Sequence, residues 1–207
     1  MLLKKVKLTF TEEVLGSMPN NPDIYREFIA SKGPDAESVE DEVARLGADA
    51  VADKGTTVFP RLDDGTPYIY DYQVKGFFKD ACGSLRRATG SKSSKLKAYK
   101  KTIDGVVFIQ ERRIPYKVPA SAESANCVRP LRAQTAQGER VALAESETVP
   151  AGSEIEFTVV LLDDALWPTV AEWLTYGQLR GIGQWRNSGK GRFLWKLVGE
   201  KKLGTLG

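Results

Sequence analysis

This chain has no histidine among its 207 residues. Ser-His-Asp triads, Cys-His nucleophiles, histidine general bases and histidine-ligated zinc are therefore excluded. Any catalysis would have to come from carboxylates, lysine, tyrosine or a bound ion. Cysteine is scarce too. Cys82 and Cys127 lie far apart and form neither a metal-ligand spacing nor a disulfide framework. They read as two reduced thiols, one of them packed. No apolar run approaches the ~20 residues needed to span a bilayer, and Met1-Leu2-Leu3-Lys4-Lys5 lacks a signal-peptide layout, so a cytoplasmic protein is expected. No internal repeat or heptad is visible. An excess of charge is also missing: 30 Lys and Arg stand against 27 Asp and Glu, a net +3. That total excludes nothing, so the placement of charge must carry the argument.

The placement is uneven. Glu37 to Asp53 is acidic, whereas Lys75 to Lys101 holds nine Lys and Arg against one Asp. A segregated basic face is the electrostatic footprint of a polyanion binder. Within it, Val74, Phe77, Phe78, Ala81, Leu85 and Ala88 fall on one helical stripe, which predicts an amphipathic helix over Val74–Ala88. Lys75, Lys79 and Arg86 form a second stripe beside the first, with Arg87 following. Gly76 and Gly83 share an azimuth next to the basic stripe. Each costs a helix about 1 kcal/mol relative to Ala, which predicts a close neighbour, either a strand or a ligand. Ala88–Lys101 is rich in Ser, Lys and Gly and reads as a mobile basic loop carrying Lys92, Lys95 and Lys97.

The densest signal lies near the C-terminus. Arg180-Gly181-Ile182-Gly183-Gln184-Trp185-Arg186-Asn187-Ser188-Gly189-Lys190-Gly191-Arg192 interleaves four glycines, four cations and a tryptophan. Glycine admits close approach to backbone amides, Arg and Lys supply charge for phosphate, and Trp offers a flat face for a base. A tight helix-to-strand connection with surface arginines would also use glycine, but it would not need four cations. Trp185 suits either core packing or base stacking; Trp167, Trp173 and Trp195 sit on apolar stripes and are expected in the core. Tyr70 and Tyr72 are expected to be half-buried. Arg129, Arg132 and Arg140 form another basic set, suited to an RNA groove or to salt bridges with the acidic segment.

Around these motifs the expected elements are a first strand over Leu2–Phe10, helices over Asp23–Ala30 and Asp35–Leu46, and paired strands over Val106–Gln110 and Arg113–Val118. A strong strand follows over Glu154–Leu162. A final helix capped by Asp163 or Asp164 tolerates Pro168 near its start, ends at Gly177 and Gly181, and leads into a strand over Phe193–Val198. Residues 11–70 read as an insertion and 119–147 as an irregular insertion in a single domain, 1–207. The order suits an α+β fold with a ferredoxin-like or RRM-like βαββαβ core.

In this setting the chain resembles the RAMP superfamily of repeat-associated RNA-binding proteins, known as subunits of CRISPR effector complexes. Gly181-Ile182-Gly183-Gln184-Trp185-Arg186-Asn187-Ser188-Gly189-Lys190-Gly191-Arg192-Phe193 looks like that family's glycine-rich loop between the last helix and last strand. Tyr70–Arg87 is similar to its first core helix, with Tyr72-Gln73 where the family usually has Gly-Ser. Glu147–Ser153 leading into Glu154–Leu162 is similar to its strand after the central insertion. The resemblance implies binding of guide RNA or another single-stranded RNA, with protein subunits of a nucleoprotein complex, or copies of this chain, as partners. Members that process RNA without metal often use His, which is absent. Those that cut target RNA use a loop Asp after the first strand, and Glu12, Glu13 and Asp23 form no recognisable motif. Nuclease activity is therefore not carried over, although a metal-free ribonuclease using Lys or Tyr stays open. No cofactor or metal is expected. The other readings are a nucleotide-binding or sequestering protein, and a stand-alone or virus-encoded RAMP-like protein acting on an effector.

Overall fold

The computed structural model describes residues 1–20, 56–120, 125–135 and 138–204, with 130–135 and 138–143 described as backbone only. In chain order its elements are β1 (Leu2–Phe10), β2 (Val14–Leu15), β3 (Met18–Pro19), β4 (Thr57–Val58), β5 (Tyr68–Tyr70), α1 (Asp71–Leu85), α2 (Tyr99–Val106), β6 (Val107–Ile109), β7 (Arg113–Pro115), β8 (Asn126–Thr135), β9 (Gly138–Val149), β10 (Glu154–Leu161), α3 (Trp167–Arg180) and β11 (Phe193–Lys202). The helices expected over 23–30 and 35–46 lie outside the described residues.

The chain divides into two units. The first comprises Met1–Val14, Pro60–Glu123 and Val149–Gly207; the second comprises Leu15–Phe59 and Ser124–Thr148. The fold is α+β. In the first unit a four-stranded sheet has the order β11-β1-β10-β6. Every pairing in it is antiparallel. The alternation that made β1 and β10 legible has a direct cause: residues two apart share a face. Val6, Leu8 and Phe10 of β1 are buried, as are Ile155, Phe157, Val159 and Leu161 of β10. The intervening residues carry the charge, pairing Lys5 with Glu156 at 3.2 Å and Lys7 with Glu154.

Two helical stripes supply the rest of this core. Phe77, Phe78 and Ala81 of α1 and Val170, Trp173 and Leu174 of α3 are all buried. Phe78 meets Trp173 at 5.5 Å between ring centroids, and Phe193, at the start of β11, sits edge-on to Phe77 (5.4 Å) and Phe10 (6.0 Å). Gly177 does not end α3, contrary to expectation. It lies inside the helix, where a Cβ would fall 2.0 Å from the Phe193 ring; it is small because that ring occupies its side-chain space. Asp163 caps the short 3-10 turn ahead of α3 by accepting from the Ala165 amide at 3.0 Å. Trp173 is fully buried, whereas Trp167 and Trp195 are only half-buried, packed edge-to-face at 6.1 Å.

Other local expectations change as well. Strands β6 and β7 do not pair with each other: β6 joins β10 and β7 joins β5. Residues 88–101 are not simply a loop. Ser93–Lys95 forms a 3-10 turn and α2 begins at Tyr99. The turn is held by Glu172 of α3, which accepts from the Lys92 amide (2.8 Å), the Ser93 amide (3.0 Å) and the Ser93 hydroxyl (2.6 Å). That hydroxyl also accepts from the Trp173 indole at 2.9 Å. Burial pushes the Glu172 carboxyl up, but these donors together outweigh it and hold the group below its usual range.

The second unit contains a sheet of order β2-β9-β4-β3, with β8 on β9. The stretch 119–147, expected to be irregular, thus includes an antiparallel hairpin running from Asn126↔Glu147 to Thr135↔Gly138. Its Arg and Pro content masked the strand periodicity. The β4 strand joins β9 by a parallel bridge at Thr57↔Ser146, reinforced by a 2.7 Å hydroxyl contact between the same residues.

Candidate nucleic-acid interface

The site begins with the neck of the glycine-rich turn between α3 and β11. Gly181 (φ +74°) and Gly191 (φ +69°) adopt backbones that L side chains rarely reach. They also face each other's strands of chain: a Cβ on Gly191 would lie 1.9 Å from the Ile182 carbonyl oxygen, and one on Gly181 would lie 2.3 Å from that of Lys190. The Ile182 amide donates to Gly191 O at 2.9 Å, and the Gly191 amide donates to Glu13 O at 2.8 Å. These glycines close the neck, and their amides and that of Ile182 point inward. Beyond it Trp185 holds φ +52° and is 40% exposed, so it is not a core residue. Arg186–Ser188 makes a 3-10 turn, whose Ser188 and Gly189 amides are also bonded internally.

The cations are more engaged than their spacing suggested. Arg180 Nε (3.0 Å) and Arg186 Nη1 (2.8 Å) share one oxygen of Asp80, on α1. The Asp80 hydrogen bond holds the Arg180 guanidinium above its ordinary pKa. Arg180 also donates to the Asn187 side chain, and Lys190 pairs with Glu13. Arg192 makes no ion pair among the described residues; it packs over Gly189. Each guanidinium has five N–H donors, so those bonded to Asp80 keep others available. Arg180, Gly183, Gln184, Trp185, Arg186 and Asn187 line an open pocket of about 320 Å³.

The basic stripe of α1 lies on the helix's other flank. At about 100° per residue, Asp80 sits about 100° around from Lys79. Lys79 pairs with Asp104 of α2 at 2.6 Å, and Lys75 lies 4.0 Å from the same carboxylate and 4.8 Å from the Phe108 ring centroid. Burial pushes the Lys75 amine below its usual pKa, with Asp104 opposing that shift. Arg86 stacks on Tyr99 at 5.1 Å. Gly83 owes its size to that same Tyr99, whose hydroxyl would be 2.9 Å from a Cβ, while Gly76 has nothing within 4 Å. Neither glycine meets a strand.

Thus α1 brings the turn and the basic stripe to its two flanks. Arg87, Lys92, Lys95 and Lys97 are exposed on the following segment and form no ion pairs among the described residues. Arg129 and Arg132 belong to β8 of the second unit, where Arg129 is 8% exposed. Asp80 and Asp104, which set the charge balance here, were not singled out by sequence reasoning; for Asp80 the available signal was its place as the one acid inside the basic run Lys75 to Lys101.

The fold is similar to that of CRISPR effector subunits. Over 97% of its length this chain superposes on a chain from the cryo-EM structure of type III-B Cmr-beta bound to cognate target RNA, with a TM-score of 0.55 and 10% identity. It spans 60% of that chain's length. A chain of a type IV-B CRISPR complex matches with a TM-score of 0.45 and 12% identity, covering 100% of this chain and 94% of that one. Cmr6 from Pyrococcus furiosus, a RAMP protein, matches with a TM-score of 0.46 and 12% identity, covering 94% and 98% respectively. At such identities the likeness is one of fold. No family model matches the sequence, nor does any curated protein. Among the described residues no cluster of Cys, Asp and Glu could hold a metal ion, and no helix is long and apolar enough to cross a membrane.

Proposed function

We propose that this protein binds single-stranded RNA, guide-RNA-like and without cleaving it, along the exposed face of α1 between its basic stripe and the glycine-rich turn. The observation that carries the reading is the Asp80 bridge, which seats Arg180 and Arg186 against the helix that also presents Lys75, Lys79 and Arg86. Asp80 cancels one charge of the pair and aligns two planar donor sets, a geometry suited to phosphate. The surrounding lysines supply counterion release and hence affinity without sequence preference. The sheet order β11-β1-β10-β6, with α1 following β1 and α3 linking β10 to β11, supports reading the first unit as a ferredoxin-like βαββαβ core. Binding should weaken steeply with salt. Replacing Arg186, Lys190 and Arg192 together with Ala should remove most of it, and unchanged affinity in that triple variant would reject the site.

The pocket of about 320 Å³ favours a second reading, a nucleotide-binding or sequestering protein. Saturable binding of a mononucleotide, with no gain as the oligomer lengthens, would select it. A stand-alone or virus-encoded RAMP-like protein acting on an effector complex is the third reading, supported by the fold's likeness to a subunit of such a complex. It requires co-purifying protein and little affinity for RNA alone.

A further inference from the structure

At the start of α1 lies an aromatic group that the glycine-rich turn and the basic stripe do not involve. Tyr70 and Tyr72 are stacked, with ring centroids 5.0 Å apart and planes inclined by 18°. Beneath them Tyr68 is buried, meets Tyr70 edge-on at 5.1 Å, and donates its hydroxyl hydrogen bond to Tyr70 at 3.0 Å. The β5–β7 pairing sets Arg113 opposite Tyr70, and the Arg113 guanidinium lies 5.6 Å from the Tyr68 centroid. The base of the stack is therefore held by backbone register and a buried ring.

Arg112 completes the arrangement. Its guanidinium carbon is 5.5 Å from the Tyr70 centroid and 5.6 Å from that of Tyr72. A group nearly equidistant from two stacked rings lies alongside the stack, level with the gap between them, and does not cover the outer face of the upper ring. Asp71 anchors it by an ion pair, yet the Arg112 side chain remains 67% exposed. Tyr72 itself is 55% exposed. A rigid two-ring stack ending in an exposed ring, with an exposed guanidinium at its edge, suits a flat π-system carrying an anionic backbone. Tyr72 also shares one side of α1 with the exposed Gly76 and with Lys79 and Gly83, which follow at four, seven and eleven residues on a helix with 3.6 residues per turn.

We infer that Tyr72, backed by Tyr70 and flanked by Arg112, is a stacking site for a nucleobase of single-stranded RNA, about 10 Å along α1 from Lys79 at 1.5 Å rise per residue. This inference rests on the RNA-binding reading above and adds a base contact to a site otherwise built for the backbone. Affinity for a single-stranded oligoadenylate of about twelve nucleotides, and for an abasic oligomer of the same length, tests it on the full chain. Tyr72→Ala should weaken binding of the base-bearing oligomer roughly 5- to 150-fold and leave the abasic one unchanged. Tyr72→Phe should restore binding, since stacking does not need the hydroxyl. Arg112→Gln should weaken both and reduce the salt slope by about one. If Tyr72→Ala binds oligoadenylate like wild type while the loop triple variant has lost it, the stacking site falls and the RNA reading stands. Equal loss for both oligomers would mark a structural effect and also overturn it. Wild-type protein that binds neither oligomer overturns both readings, whereas a Tyr72→Ala variant that loses only a protein partner overturns the stacking site alone.

Discussion

Gly191→Ala tests whether the neck of the glycine-rich turn is built as described. The new Cβ would lie 1.9 Å from the Ile182 carbonyl oxygen, whereas ordinary contact begins at 3.4 Å. The strands of the neck must therefore separate by about 1.5 Å. The obstacle is backbone, so no side-chain rotation relieves it. Such a shift breaks the bonds from Ile182 N to Gly191 O and from Gly191 N to Glu13 O, each worth about 1 kcal/mol net. An Ala at φ +69° adds about 1–2 kcal/mol of conformational strain. Together these predict a loss of about 3–4 kcal/mol, or roughly 6–16 °C in melting temperature for a chain of this size. All four tryptophans lie in the first unit, so their fluorescence during thermal or urea unfolding reports on it selectively. Gly90→Ala is the control: φ is +83° but nothing lies within 4 Å, so only the strain of about 1–2 kcal/mol remains. A Gly191→Ala protein that melts with its Gly90→Ala counterpart would refute the closed neck.

Gly76→Ala should stabilise the protein by about 0.5–1 kcal/mol, because that helical position is open to space; a loss of stability in urea titration would mean that something packs there. Gly177→Ala faces the Phe193 ring at 2.0 Å, so overpacking of about 1–3 kcal/mol should exceed its helix-propensity gain and lower the melting point. The Glu172 carboxyl is held below its usual pKa in the fold, so its contribution is present above the unfolded value of about 4.3 and is lost as pH falls through the folded one. Glu172→Gln should therefore be less stable than wild type at pH 7 and converge with it in acid. A stability gap that stays constant with pH would exclude the charge-dependent hold on Ser93.

Periodicity carried much of the fold. The alternation in β1 and β10 and the apolar stripes of α1 and α3 were readable because period 2 and period 3.6 are local properties. The ends of α1 were displaced: it runs 71–85, since the aromatic pair at Tyr70 and Tyr72 continues from strand into helix. Local spacing could not assign β6 to β10 and β7 to β5, because adjacent short strands pair with whichever edge is offered. The glycines divide in the same way. That Gly181 and Gly191 belong to a tight turn was legible; that Gly177 makes room for Phe193 and Gly83 for Tyr99 was not.

By itself the sequence determined the absence of histidine chemistry, the alternation and stripes that bury a core, and the concentration of cations on one helix, its following segment and one turn. These are properties of composition and of neighbours along the chain. Only the tertiary structure decided which of those charges are spent internally: Asp80 reaches Arg180 and Arg186 from 100 and 106 residues away, and Asp104 reaches Lys79 from α2. Coulomb energy depends on distance in space, not on separation in sequence, and folding converts a list of cations into a particular balance of paired and available ones.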